Sequence, residues 1–512
     1  MNGKFPKALA WIVLACLVVP MFGSYFFDDM FSSVSYLFDD PSLTALGWSS
    51  SGYGLYASGY SVLCVFGGLV ICGILLDKWG VRVTGSVFVG MMFLGAAAVL
   101  WALLSGSEYS LQIAYAGCMF FGLGSEIAGT AVTRSIAKWF KHGPMALAMG
   151  LQLAIARLGT AFALVLSPKL IAEHPGTVYS LAETARPAVF GLGLLALGLI
   201  LWAVFVAIDA KQGAIDEGKE EPFKLADVAG VLRNGNFWLL SLLCVLFYSS
   251  IIAFKKFAGA ILVPRFDIPA ATAGWMVSML PFATVIFAPL FGMLVDKKGN
   301  GTRWMLLGAV LALLAHLLLA FAPQGTPFWG YLSMVFLGFG YSLVPAALWP
   351  SVPKVVPDKV LGTTYALIYW VQNLGLLSFK MLAGGILDRC QSAGSAEVAG
   401  AAGESVAVSN GSLADAAGAA GLADTAGVAS LGSAADVAGA AGGAAAQGIS
   451  GPVAVELMFV ALCVAAIVIA LLFARASRRH PSLGLDLPSG AGASPAAPEG
   501  AESRGAQITD NQ

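Results

Sequence analysis

The sequence predicts an all-α membrane protein whose twelve transmembrane helices form two six-helix bundles. The first indication is composition, since 58% of the 512 residues are hydrophobic and only 11% are charged, whereas a soluble domain has about 25% charged residues. The second is a series of twelve apolar runs, each long enough to cross a bilayer core about 30 Å thick. The third is the longest charged stretch, residues 209–235, which leaves six runs on each side.

The predicted spans end where charged residues or clusters of Gly, Pro and Ser interrupt the apolar runs. In the first half they cover residues 8–27, 52–76, 83–104, 110–138, 143–172 and 184–208. In the second half they cover residues 236–264, 270–295, 303–322, 327–353, 360–387 and 452–474. The first run follows Lys4 and Lys7, and its length of about 20 residues predicts a retained helix rather than a cleaved signal peptide.

These spans divide the chain into parts. Residues 1–208 are predicted to form the first bundle, 209–235 a cytoplasmic linker, 236–475 the second bundle and 476–512 a disordered cytoplasmic tail. Within the second bundle, residues 388–451 consist mostly of Ala, Gly, Ser, Val and Asp. Such a segment cannot bury enough surface to offset its chain entropy, so we expect a disordered outer loop there.

Lysine and arginine are distributed unevenly between the two ends of the spans. With the N-terminus inside, the short cytoplasmic segments hold most of them, and the outer loops hold only Lys169, Arg186, Arg265 and Arg389. The positive-inside rule therefore predicts that both termini are cytoplasmic. We recognise no lysosomal address in the sequence, so a plasma (inner) membrane is the default location.

Several classes of function find no support in the sequence. Six of the seven cysteines lie in apolar runs without metal-like spacing, so no disulfide framework, metal site or cofactor is predicted. No nucleophile–base pair or phosphate-binding loop stands out, which argues against an enzyme. The net charge of −1 argues against a polybasic nucleic-acid binder.

A short motif occurs twice, at the same point of each half. "GILLDKWGVR" follows the second span and "GMLVDKKGNG" follows the eighth, and both read G-x-x-x-D-K-x-G. Many transporters are built from internal repeats of this kind. The predicted gating residues are the motif positions together with one arginine of the fourth span: Gly73, Asp77, Lys78, Gly80, Arg134, Gly292, Asp296, Lys297 and Gly299.

Each motif position has an expected physical role. The first glycine permits close helix contact near the cytoplasmic face. The aspartate can accept hydrogen bonds from the amino end of a neighbouring helix, or pair with a cation, in one conformation only. The lysine anchors the loop at the headgroups, and Arg134 is expected to pair with the signature loop or with Asp77.

The motif occurs twice, after the second and the eighth of twelve predicted spans. It resembles the signature loop of the major facilitator superfamily. The resemblance covers essentially the whole chain. It implies two six-helix bundles, each of two inverted three-helix repeats, around a cavity that opens alternately to either side. The chain departs from proton-linked drug exporters, because Cys118 stands where many of them have an arginine and the fifth span lacks their Gly-Pro-rich signature.

Two opposite charges lie inside adjacent spans, Glu126 in the fourth and Arg157 in the fifth. Glu126 is 15 residues before Lys141 in the connecting turn and Arg157 is 16 after it, so each lies roughly 22–24 Å from the turn, near the bilayer midplane. They either pair with each other and brace the two helices, or face a cavity and bind the opposite charges of a zwitterion, or pair only until substrate enters. Intramembrane charges are functional candidates by default, which favours binding.

Other polar residues of the spans are candidates for the cavity wall. Tyr53, Tyr56 and Tyr60 recur along one face of span two, where they either pack or hold a peptide backbone, and we predict binding for Tyr56 and Tyr60. Tyr369 and Gln372 lie one turn apart in span eleven, where polar residues also join helices. Lys256 in span seven could meet a substrate carboxylate.

Acidic residues also gather near the outer face. Asp28 and Asp29 end the first span, and Asp39 and Asp40 follow. They are expected to form either a solvated loop or an acidic vestibule that enriches cationic substrates. His316 is interpreted as a packed, hydrogen-bonded histidine.

A narrower resemblance is to the lysosomal dipeptide transporter branch. It rests on "WFKHGPMALAMGLQLAIARLG", "PLFGMLVDKKGNG" and "LWPSVPKVVPDKVLGTTYALIYWVQNLGL…MLAGGILD". It implies facilitated transport of dipeptides, notably ones with cationic side chains, without a proton gradient, and implicates Glu126 and Arg157 in binding the two peptide termini. Eukaryotic relatives work in lysosomes with an accessory glycoprotein, and the fold usually works as a monomer.

Two other functions stay open from the sequence. One is a proton-coupled transporter of small organic or inorganic anions, with Arg157 as the anion site and Glu126 as a titrating group. The other is a sensor or scaffold that kept the fold and lost transport. Small solutes and the lipid bilayer are the expected partners in each case.

Overall fold

The computed structural model describes residues 7–141, 144–171, 179–212, 230–356, 360–403, 450–479 and 485–487. These residues form helices and connecting turns, with no strand among them. We call the part before residue 213 the first half and the part from residue 230 the second half. The inner face is the one at which α1 begins, and the opposite face is the outer face.

The helices of the first half are α1 (Lys7–Asp29), α2 (Pro41–Thr44), α3 (Ser50–Leu63), α4 (Leu69–Ser105), α5 (Ser110–Trp139), α6 (Met145–Leu170), α7 (Leu181–Thr184) and α8 (Arg186–Lys211). Those of the second half are α9 (Gly235–Lys256), α10 (Ala258–Phe266), α11 (Ala270–Lys298), α12 (Gly301–Phe321), α13 (Pro327–Leu348), α14 (Val352–Val355), α15 (Leu361–Gly403) and α16 (Gly451–Arg479). Short 3₁₀ turns cover Ser35–Asp39 and Trp349–Ser351.

Eleven helical segments of the described residues are long and apolar enough to cross a membrane. The predicted second span is not one of them, because a π-helical segment, Cys64–Gly68, interrupts it after α3. Gly67 there has φ +93°, a conformation that glycine adopts at no steric cost. The carbonyl of Val65 accepts a hydrogen bond from Trp370 Nε1 at 2.7 Å, as expected where a helix departs from its own bonding pattern.

The second and third spans meet inside α4, at Gly80. Its φ of +73° and ψ of 171° are not helical, and they turn the chain between the two spans. The corresponding glycine of the second motif also has a positive φ, since Gly299 ends α11 with φ +64°. Both turns require a residue without a Cβ atom.

Two predictions of disorder are wrong within the described residues. The predicted outer loop 388–451 begins as a continuation of α15, which extends to Gly403, and alanine, abundant there, has the highest helix propensity. In the predicted tail, α16 extends to Arg479 and Leu485 is 2% exposed. Residues 404–449, most of the predicted linker and the rest of the tail lie outside the described residues.

Two pairs of helices form the main seams between the halves, α3 with α15 and α6 with α11. Glycines allow the close approach: a Cβ atom on Gly384 would lie 2.4 Å from Ser50 O, and one on Gly274 would lie 2.2 Å from Leu164 O. Small residues at helix contacts are the usual means of tight packing in a membrane. The seams bring α1, α3, α5 and α6 to face α9, α13 and α15.

Candidate substrate-binding site

Glu126 and Arg157 are brought to one level by α5 and α6. Glu126 lies 13 residues before the end of α5 at Trp139, and Arg157 lies 12 residues after the start of α6 at Met145. At 1.5 Å per residue both are roughly 18–20 Å from the inner ends of their helices. Both side chains are half-buried, so they line an accessible space rather than the packed core.

Glu126 is held by a tyrosine of the same half. The Tyr60 hydroxyl on α3 donates to Glu126 Oε1 at 3.1 Å and lies 3.1 Å from Ser125 Oγ. Ser125 Oγ is in turn 2.6 Å from Ser24 Oγ on α1. This chain of hydroxyl groups joins α1, α3 and α5 around the carboxylate.

Arg157 is held by a tyrosine of the other half. Its Nη1 donates to the Tyr341 hydroxyl at 2.9 Å, and Tyr341 belongs to α13. The guanidinium carbon lies 5.3 Å from the centre of the Tyr341 ring and 5.7 Å from that of Tyr25 on α1. The cation therefore lies close to two aromatic rings, and such contacts stabilise a guanidinium away from water.

Glu126 and Arg157 do not pair with each other. Among the described residues, neither has an oppositely charged group within 4.0 Å. The predicted brace between α5 and α6 is thus not formed in this conformation. Two opposite charges at one depth are instead left without counter-ions, which is costly in a membrane unless a ligand supplies them.

Aromatic residues of the second half line the side that faces Arg157. Tyr248 on α9 packs edge-on to Tyr341 with ring centres 6.1 Å apart and accepts a hydrogen bond from Trp349 Nε1 at 3.1 Å. Trp349 stacks on Tyr369 at 5.1 Å. Tyr369, a predicted binding residue, is 43% exposed.

The predicted tyrosine face of span two divides in the structure. Tyr56 is buried among aromatic rings, 5.6 Å from Trp48 and 6.0 Å from Phe31, and this packing keeps it away from Glu126. Tyr60, one turn further toward the inner face, reaches the carboxylate. Lys380 on α15 lies over the Tyr60 ring at 5.6 Å.

Two other predicted binding residues connect helices. The Gln372 Oε1 atom accepts from Cys244 Sγ at 3.4 Å, which links α15 to α9. Lys256 is 1% exposed and pairs with Asp28 Oδ2 at 2.8 Å and Asp29 Oδ1 at 3.0 Å. Its charge is therefore already compensated at the outer ends of α1 and α9.

The predicted acidic vestibule is wrong for Asp29. That residue is fully buried, and its Oδ2 atom accepts from Lys255 Nζ at 2.6 Å and from Thr160 Oγ1 at 2.8 Å. We call Asp28, Asp29, Lys255 and Lys256 the outer latch, because the first two belong to α1 and the others to α9. Asp39, nearer the outer face, accepts from Ser50, and burial raises the pKa of its carboxyl group.

The signature motif is described in part. Lys78, Asp296 and Lys297 are exposed, as expected of a loop at the membrane surface, and Arg134 is half-buried. Among the described residues, no atom would lie within 4 Å of a Cβ atom on Gly292, so the expected close helix contact is not formed with any of them. The side chain of Asp77 and the surroundings of Gly73 lie outside what the structure describes.

Four site residues were missed by the sequence reasoning: Tyr25, Tyr341, Tyr248 and Trp349. The available signal was an aromatic residue at mid-span depth, as in "GFGYS" around Tyr341. Aromatic residues are common in every span, so this signal could not separate wall residues from packed ones.

Comparisons with known proteins agree with this architecture. The sequence profile of the Major Facilitator Superfamily matches residues 14–379. The chain is 30% identical over 390 residues to the lysosomal dipeptide transporter MFSD1 of Danio rerio, covering 74% of this chain and 80% of that one. It is 27% identical over 255 residues to a nitrite extrusion protein of Bacillus subtilis, covering 49% and 58%.

Solved structures share the fold at low sequence identity. A bacterial homologue of the human lysosomal transporter Spinster, in an inward-facing and occupied conformation, superimposes with a TM-score of 0.64 at 15% identity. The alignment covers 93% of this chain and 98% of that one. At that identity the likeness bears on the fold alone.

Proposed function

Because the chain belongs to the Major Facilitator Superfamily, a family of multi-pass membrane transporters, we propose that it carries small zwitterionic solutes, dipeptides first among them, by facilitated alternating access. Glu126 binds the ammonium group of the substrate and Arg157 binds its carboxylate. Tyr60 and Tyr369 contribute to the wall around them. No proton gradient is required.

One observation carries this proposal: the two opposite charges at one level of adjacent helices each lack a counter-ion among the described residues. Each is held instead by a tyrosine hydroxyl, Tyr60 for Glu126 and Tyr341 for Arg157. A guanidinium presents a planar fork that matches a carboxylate, and a glutamate suits an ammonium. A substrate with both groups satisfies both charges at once.

The name of the relative with 30% identity supports the same substrate class. That relative is called a dipeptide transporter, and the resemblance extends over both halves of this chain. By the same analogy, an accessory membrane glycoprotein is a proposed partner, and a monomer in a plasma membrane with both termini cytoplasmic is the proposed state. Protease protection of N- and C-terminal tags in sealed vesicles tests that orientation.

A second candidate is transport of small anions, coupled to protons. Arg157 without a carboxylate partner would serve an anion alone, and one relative is called a nitrite extrusion protein. In this case Arg157 is essential, and Glu126 matters only for the coupling to protons.

The test is uptake of a labelled lysine-containing dipeptide into proteoliposomes, with and without a pH gradient. We expect gradient-independent uptake that is lost in Glu126→Gln and in Arg157→Ala. Glu108→Gln makes the same chemical change at an exposed outer residue and is the matched control. Nitrite uptake driven by a pH gradient, with dipeptides inert, would favour the second candidate, and stabilisation by dipeptide without flux would favour a sensor.

A further inference from the structure

We propose that Tyr341 is a positioning residue of the carboxylate subsite, supplied by the second half of the protein to an arginine of the first. The inference rests on the proposed function, since it assigns a role within the same site. It adds that residues of both halves, Arg157 and Tyr341, bind the anionic end of the substrate. Glu126 and Tyr60 bind the cationic end within the first half.

The contact itself is well defined. Arg157 Nη1 lies 2.9 Å from the Tyr341 hydroxyl oxygen, which accepts the hydrogen bond. The guanidinium carbon also lies 5.3 Å from the centre of the Tyr341 ring and 5.7 Å from that of Tyr25 in the first half. Two contacts of different kinds, a hydrogen bond and a cation–ring contact, therefore join Arg157 to Tyr341.

Tyr341 is itself held rigidly. It is 4% exposed, and its ring packs against Tyr248, whose hydroxyl is bonded to Trp349. One residue earlier in α13, Gly340 lets the helix approach α12 closely, since a Cβ atom there would lie 2.8 Å from Gly308 O. The buried tyrosine thus restricts the position of the long and otherwise flexible Arg157 side chain.

Donor groups remain for a substrate. A guanidinium has five N–H donors, and within the described residues Arg157 makes one hydrogen bond, to Tyr341. The Tyr341 hydroxyl uses its oxygen in that bond, so its hydrogen is available to donate. A carboxylate placed against this pair meets donors from α6 and α13, one helix from each half.

A substrate carboxylate should bind more tightly to the present conformation than to one in which α6 and α13 lie further apart. The Arg157–Tyr341 bond requires α6 and α13 to stay at their present separation, and it is lost when the halves move apart at this level. A ligand that contacts both residues therefore binds this conformation more tightly than one in which they are separated. By linkage, the carboxylate group shifts the population toward this conformation.

The test compares Tyr341→Phe with Tyr53→Phe as the matched control. Both remove one buried tyrosine hydroxyl, but the Tyr53 hydroxyl donates to the carbonyl of Lys256 at 3.1 Å rather than bonding to Arg157. Binding of a dipeptide and of its C-terminal amide is measured by calorimetry on detergent-purified full-length protein. We expect Tyr341→Phe to weaken dipeptide binding about tenfold, as for a lost bond to a charged group, and to leave the weaker binding of the amide unchanged.

Two further readouts separate positioning from a general effect on packing. In an Arg157→Ala background, Tyr341→Phe should cause no additional loss, because it acts through that arginine. In transport, the mutation should raise KM while the maximal rate stays nearly constant. An equal loss for dipeptide and amide, or an unchanged dipeptide affinity, would overturn the proposal.

The outcome also distinguishes this inference from the proposed function. A wild-type protein that binds dipeptides while Tyr341→Phe has no effect supports the function and rejects the role of Tyr341. A wild-type protein that binds nitrite and no dipeptide rejects the dipeptide function, and the same Tyr341→Phe comparison with nitrite then decides the role of Tyr341. A wild-type protein that binds neither the dipeptide nor nitrite rejects both the proposed function and the role of Tyr341.

Discussion

Lys255 on α9 lies 2.6 Å from Asp29 at the end of α1, and this buried ion pair joins the two halves near the outer face. Lys256 adds contacts to Asp28 and Asp29, so four charges close this end of the site. A central site flanked by such a latch opens to the outer face only when the pairs separate. Under the proposed alternating access, we therefore expect these pairs between α1 and α9 to separate when the site opens to the outer face.

Breaking one side of the outer latch should open the outer face. Asp29→Asn removes the carboxylate that pairs with Lys255 and leaves Lys256 paired with Asp28, and removing one partner of a buried pair costs about 3–5 kcal/mol. We expect a lower melting temperature and faster labelling, by a membrane-impermeant maleimide, of a cysteine introduced at the buried Ser32. Asp40→Asn, which affects only the cap of the short α2, is the control. Unchanged labelling in Asp29→Asn would contradict the latch.

Substitution of Gly122 should weaken the hydrogen bond from Tyr60 to Glu126 without changing either residue. A Cβ atom on Gly122 would lie 2.2 Å from Tyr60 O, so Gly122→Ala pushes α3 away from α5 and withdraws the tyrosine from the carboxylate. We expect weaker dipeptide binding in calorimetry. Gly193→Ala is the matched control, because no described atom lies within 4 Å of its Cβ position, and a compatible Gly→Ala change is stabilising by about 0.4–1 kcal/mol. Equal behaviour of the two variants would show that the α3–α5 contact is unimportant for binding.

Asp486 should stabilise the inner end of the second half. Its Oδ1 atom accepts from Thr302 N at 3.1 Å and Thr302 Oγ1 at 2.8 Å, at the start of α12, and its Oδ2 atom accepts from Ser477 at 2.8 Å. Loss of such a helix cap costs about 1 kcal/mol. Truncation after Arg479 should lower the melting temperature, and truncation after Leu487 should not. A shift of the same size in both proteins would assign the effect to the residues beyond Leu487.

Asp209 should act as a hub at the inner face of the first half. Its carboxylate accepts from Arg82 at 2.8 Å, Lys138 at 3.1 Å and Trp139 Nε1 at 2.8 Å, which ties α8 to α4 and α5. Asp209→Asn removes the charge from these bonds, each worth about 1.5–3 kcal/mol when a group is ionised. We expect a clear drop in melting temperature. Asp267→Asn, an exposed left-handed position that asparagine tolerates, should leave it unchanged, and a similar drop in both would refute the hub.

Sequence reasoning succeeded where the physical cause is local. The spans follow from runs of apolar residues, because the bilayer requires a minimum length of apolar helix. The common level of Glu126 and Arg157 follows from helical rise and a short turn between α5 and α6. Both results depend on neighbours along the chain, and the sequence contains all of that information.

Sequence reasoning did not predict the features that depend on contacts between segments far apart in the chain. Tyr341 lies 184 residues from Arg157, and Lys255 lies 226 residues from Asp29. The short segment around Asp486 looks like part of a tail by composition, yet Thr302 and Ser477 bind its carboxylate and Leu485 is buried. Gly67 interrupts the second span at a place that hydropathy alone does not mark.

The sequence by itself determined the long apolar helices, the repeated motif and the common level of Glu126 and Arg157. Tertiary structure decided which tyrosine holds each charge, that Glu126 and Arg157 stay apart, and that Lys256 belongs to the outer latch rather than to the substrate. The physical reason is that hydrophobicity and helical rise act along the chain. The partner of a buried charge is chosen by packing, where small residues such as Gly122 and Gly384 let particular helices meet.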